Sequence, residues 1–146
     1  MQRGRDAAGR PVPADSPLAV EPVPEQALPP LEALALARDL LARDRPFFAH
    51  DVLEAVWKAA PEPERRLWQG LAQVCVGLTH LQRGNAVGAA RLLRRGADRV
   101  AEHLARPDPV THGLDLPRVV AAARERARAV DAGADGPLVD LWPAAP

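Results

Sequence analysis

The segment PEPERRLWQGLAQVCVGLTHLQRGN, residues 61–85, decides the fold. Its opening prolines and acids suit a helix N-terminus, while Gly84 and Asn85 read as the stop of one helix and the N-cap of the next. Between them Leu67, Leu71, Val74, Leu78 and Leu81 form one apolar stripe, and Gln69, Gln73, Val76 and His80 repeat on the opposite side. Little of the segment beyond its first turn is charged, so the pattern predicts a central helix buried on more than one face. Gly70, Gly77 and Gly84 recur every seven residues. The first two lie inside the helix, where each costs about 1 kcal/mol relative to alanine, an expense that predicts a close crossing with another helix.

Working outward, FFAHDVLEAVWKAA (47–60) reads as the preceding helix, with Pro46 in its first turn where a missing N–H is harmless. At 100° per residue Phe48, Val52, Leu53 and Val56 form a core arc, and Asp51 and Lys58 face away from it. His50 and Trp57 fall at the border of that arc, with Glu54 on the same side. An earlier helix is predicted from Leu31 to near Asp44. A fourth spans about 86–104, with Ala86, Ala89, Ala90, Leu93, Ala97, Val100 and Leu104 inward and Arg91, Arg94, Arg95 and Arg99 largely outside or at its borders. Asp115 caps a fifth, with Pro117 at its start and Val120, Ala123, Ala127 and Val130 inward. No strand pattern is visible. The expected fold is all-α, a compact bundle of about five helices over residues 31–131.

Seven of the first 30 residues are proline. Because proline fixes φ and removes a donor, residues 1–30 are expected to be a disordered or extended leader in which neither helix nor sheet propagates. Residues 132–146 are expected to be an irregular tail whose Leu138, Leu141 and Trp142 can dock on the bundle.

The chain has 146 residues, the size of one domain with one core. Its formal net charge is zero, so nothing global recruits nucleic acid or an anionic membrane. Residues 83–128 hold 10 arginines against 5 acids, yet a solvated helix face accounts for them, and nucleic acid is not the expected partner. A small molecule or protein of unknown identity is expected instead, and apolar residues on outer faces leave room for a homo-oligomer. Cys75 is the single cysteine, flanked by valines, which fits a buried small hydrophobe in a reducing cytoplasm. No stretch has the length of a membrane span. Lys58 is the sole lysine, an arginine bias associated with GC-rich bacterial genomes.

Two polar stripes need partners: His50, Glu54 and Trp57 on the second helix, and Gln69, Gln73 and His80 on the third. Short connections make consecutive helices antiparallel neighbours, and buried polar groups must meet each other or water. In the functional reading His50, Glu54 and His80 are catalytic groups and ligands of one divalent ion such as Zn²⁺, Mn²⁺ or Fe²⁺, with open positions for water and substrate. Gln69 and Gln73 would orient these groups or the substrate. In the structural reading His50 bonds Glu54 or a glutamine, Glu54 pairs with Lys58, and His80 is a satisfied interior histidine. Asp51 is expected to be solvated, His103 and His112 to lie on the surface, and Trp57 and Trp68 to anchor the core.

FFAHDVLEAVW, WQGLAQVCVGLTHLQRGN and GAARLLRRG, in that order, resemble the bacterial and archaeal family called Domain of Unknown Function 309. That family is similar to F-x-A-H-E-x-L-E-x-x-W, then Q-G-L-I-Q-x-A, then H-x-x-x-G-N-x-x-G-A-x-x-L, and the likeness covers roughly residues 31 to 130. The resemblance implies a helical domain and sets His50, Glu54, Trp57, Gln69, Gln73, His80 and Asn85 in motif positions, which makes Trp57 and Asn85 further candidate substrate contacts. It also implies a metal-dependent hydrolase, a label that names no substrate. Asp51 stands where the family usually has glutamate, a shorter reach for any ligand there. The alternative is a non-catalytic helical binding domain whose polar cluster is structural.

Overall fold

A computed structural model describes residues 3–134. Five helices follow in order: α1 (Pro30–Ala42), α2 (Pro46–Ala59), α3 (Arg65–Gln82), α4 (Ala86–Leu104) and α5 (Leu116–Asp131). The expected all-α bundle is therefore observed, with two additions: a 3-10 turn at Glu62–Glu64 and a small antiparallel pair in the leader. Among the described residues no helix is long and apolar enough to cross a membrane.

α3 is the centre, packed between α2 and α4, while α1 covers α2 and α5 covers α4. Leu67, Leu71, Val74 and Leu78 of its stripe are buried, together with Trp68 and Cys75, and Leu81 is partly buried. Burial pushes the Cys75 thiol far up, so it stays protonated inside the core and offers no nucleophile. The seven-residue glycine spacing has the predicted consequence at Gly70 and Gly77. A β-carbon on Gly70 would meet Val100 Cγ2 at 2.7 Å and the Gly96 carbonyl at 2.8 Å, and one on Gly77 would meet Leu93 at 2.9 Å. Gly84 differs, since nothing lies within 4 Å of where its β-carbon would stand and its φ is +82°. There the glycine ends a helix: the Gly84 and Asn85 N–H groups return to the Leu81 and His80 carbonyls at 3.1 and 2.8 Å. Asp44 closes α1 in the same way with φ 57°. The Gln82 amide donates to its carbonyl at 2.7 Å, tying the α1–α2 and α3–α4 turns together.

The leader departs from expectation. Arg3–Arg5 (β1) and Pro11–Pro13 (β2) pair antiparallel with Gly4 opposite Val12. Proline does not prevent this because backbone groups alternate sides along a strand. Val12 faces the ladder, and the missing donors of Pro11 and Pro13 point outward from an edge. The turn between the strands is docked on the helices. Arg83 donates from Nε and Nη2 to the Ala8 carbonyl at 3.0 and 2.7 Å, and the Arg5 and Arg83 guanidiniums lie 4.8 and 5.6 Å from the Phe47 ring centroid. A β-carbon at Gly9 would overlap that ring. Further along, Glu21 reaches Arg45 at 2.8 Å, which holds its carboxyl below the usual glutamate range. The expected docking of Leu138, Leu141 and Trp142 lies outside the described residues.

Candidate functional site

α2 starts at Pro46 and carries Phe48, Val52, Leu53 and Val56 into the core, which fixes its rotation. That rotation leaves His50, Asp51 and Glu54 partly buried at the rim. His50 Nε2 lies 2.6 Å from Glu54 Oε2, and Lys58 Nζ lies 3.0 Å from the other oxygen, Oε1. A carboxylate only accepts, so Nε2 carries the imidazole hydrogen and Nδ1 presents its lone pair in the neutral ring. Nδ1 is buried and has no hydrogen-bond partner among the described residues. Asp51 Oδ1 sits 3.5 Å from it, close enough for an ion pair but not aligned as a hydrogen bond. Among the described residues, His50, Asp51 and Glu54 are the group of three whose donor atoms all lie within 4.8 Å of one another.

The other residues singled out by sequence are dispersed. His80 Nδ1 lies 3.2 Å from the Asn85 side-chain nitrogen, at the α3–α4 turn. Asn85 Oδ1 accepts from the Gly88 N–H at 2.9 Å, so Asn85 is the N-cap of α4. Gln69 accepts from Arg66 at 3.2 Å. Gln73 is half-buried, and its Oε1 has no partner among the described residues. Trp57 is half-buried against the core edge, whereas Trp68 is enclosed. The structure thus brings His50 and Glu54 together, adds Asp51, and pairs His80 with Asn85 elsewhere. Replacing Asn85 with alanine is expected to lower unfolding stability by about 1 kcal/mol in urea titrations, the ordinary cost of a lost cap. Metal content should not change in that variant.

Two histidines assigned to the surface are not there. His103 is fully buried, with Nε2 2.7 Å from the Val110 carbonyl. His112 is half-buried, 2.6 Å from Glu64 Oε1, which also accepts from the Trp68 indole at 3.3 Å. Both partners come from outside the histidine's own helix or loop, so helical spacing gave no sign of them. The α4 arginines are partly matched: Arg94 pairs with Asp131 and Arg99 with Glu102.

Asp51 and Glu54 face an open groove of about 640 Å³ whose opposite wall is the leader, including Val20 and Val23. That size suits a small-molecule site. The helical wheel of α2 turns Asp51 from the core, and the leader gives the outward direction a second wall. Sequence reasoning missed it because it placed nothing opposite that face of α2.

Residues 34–92 match the family described as Domain of unknown function (DUF309). The chain is 40% identical over 76 residues to the uncharacterised protein YpuF of Bacillus subtilis (strain 168), a stretch that is 51% of this chain and 42% of YpuF. The match therefore spans less than half the length of that relative. No solved structure matches the chain. With the motif residues His50, Glu54, His80 and Asn85 inside the matched stretch, residues 34–92 of this chain are a DUF309 domain.

Proposed function

We propose that this domain binds one divalent cation through His50 Nδ1 and Asp51 Oδ1, and that it hydrolyses a ligand held in the groove. The observation that carries the reading is the buried, unbonded Nδ1 with a carboxylate oxygen 3.5 Å away. Two ligands about 2.1 Å from one tetrahedral ion stand about 3.4 Å apart, so the existing separation fits a shared ion. A nitrogen and oxygen donor set suits Zn²⁺, Mn²⁺ or Fe²⁺. Such an ion, when bound, acidifies water and polarises a carbonyl or phosphoryl oxygen.

The chain's own residues have separate tasks. Glu54 accepts from Nε2 and so fixes the ring's tautomer and direction, the usual service of a carboxylate behind a metal-binding histidine. Lys58 holds the second oxygen of Glu54 in place. The leader supplies the groove's apolar wall. His80 stands outside the proposed ligand set, because its Nδ1 faces Asn85.

A second reading rests on the same short contacts. Lys58, Glu54 and His50 already form a connected polar chain, which by itself can hold the surface of α2 in a non-catalytic binding domain. Hydrolysis assays with p-nitrophenyl esters and amino-acid p-nitroanilides, with and without added Zn²⁺ or Mn²⁺, separate the two. The hydrolase reading predicts metal-dependent turnover that falls about a hundredfold or more in Asp51→Asn. Absence of metal-dependent turnover across both substrate series favours the binding domain.

A further inference from the structure

The groove has a charge pattern that names a ligand class. One wall is apolar, built by Val20, Pro22, Val23 and Pro24 of the leader. Facing it, α2 presents Asp51 and Glu54 together with Lys58, and the leader adds Arg5 and Glu25 at its margins. Both signs of charge therefore border the same apolar trough. Glu25 has no cationic partner among the described residues. Lys58 is 69% exposed and has donors left after its bond to Glu54. Before any ion is bound, a purely anionic ligand would meet three carboxylates, and a purely cationic one would meet Arg5 and Lys58. A ligand with one ammonium, one carboxylate and an apolar body satisfies the whole lining.

We infer that the groove binds a short free peptide with apolar side chains, its ammonium on Glu25, its carboxylate on Lys58 and its side chains on the leader wall. This deepens the hydrolase reading and rests on it for the reaction: water adds across the amide C–N bond, leaving a carboxylate and an ammonium. Binding itself needs only the groove. A volume of about 640 Å³ holds a tripeptide with room for water. The leader then has a functional task, since its docking through Phe47, Arg83 and Arg45 holds the apolar wall in position.

The test is calorimetric titration of the full chain with Val-Ala-Leu, compared with the same tripeptide N-acetylated and with it C-amidated. Binding of the free peptide is expected, weakened about tenfold or more by either cap, because each cap removes a charge-assisted hydrogen bond. Glu25→Gln should weaken the free peptide but leave the acetylated one unchanged. Lys58→Met should do the same for the free and amidated peptides respectively. Equal affinity for capped and free peptides, or no heat from the free peptide at millimolar concentration, overturns the inference. The titration is repeated with His50→Ala: peptide binding that persists without metal shows that a failed metal site and a failed peptide site are separate results.

Discussion

Gly70→Val is expected to destabilise the protein by about 3 kcal/mol, at the upper end of the usual cost of overpacking a core. Leu93, Ala97 and Val100 on α4 are fully buried, so α4 is pressed against its neighbours along this face. At the crossing itself two backbones nearly touch. A β-carbon at Gly96 would stand 2.7 Å from the Gly70 carbonyl, and one at Gly70 would stand 2.8 Å from the Gly96 carbonyl. Neither helix can yield by rotating a flexible side chain, so the added methyls must separate the helices. Separation exposes the Leu71 and Val74 layer that both bury. Gly84→Ala is the contrast: space is free around it, and only the left-handed backbone opposes the change, for about 1 kcal/mol. Urea unfolding of the two variants measures the difference. Equal midpoints would mean that α3 and α4 are not packed through their glycines.

That crossing was legible in the sequence because it is local in period: glycines at seven-residue spacing in an apolar helix have few other uses. The limits of α4 were legible for a similar reason, since Asn85 caps its start and the apolar stripe ends at Leu104. The leader was harder to read. Its proline content argued against any sheet, but that argument counts prolines without asking which edge of a strand they occupy, and Pro11 and Pro13 occupy the outer one. The site was half legible. The i, i+4 spacing of His50 and Glu54 brings them together regardless of what packs around α2. Asp51 is not legible as a site residue because a helical wheel gives directions from the core and contains no leader. Polar stripes on adjacent helices suggest that His80 meets His50, whereas its ring turns along its own chain to Asn85. His103 and His112 find partners at Val110 and Glu64, contacts made by the 105–115 connection that no periodicity encodes.

The other large effect concerns the metal. At equilibrium with Zn²⁺ or Mn²⁺ the wild-type chain should hold about one ion, and His50→Ala or Asp51→Ala should hold none, since each deletes one of the two donor atoms that frame the site. Glu54→Gln should retain the ion with roughly 10- to 100-fold weaker affinity, because an amide still meets the ring but no longer fixes it as a carboxylate does. His80→Ala should bind as the wild type does. The structural reading of the same contacts makes the opposite forecast, that none of these variants changes metal content because none of the proteins binds any.

Equilibrium dialysis followed by elemental analysis of the wild type, His50→Ala and His80→Ala is the measurement that bears most directly on this account. One ion per chain in the wild type and in His80→Ala, with none in His50→Ala, is the predicted result. The same metal content in all three, whether absent throughout or present throughout, would contradict a cation site at His50 Nδ1 and leave the cluster as a polar brace on α2.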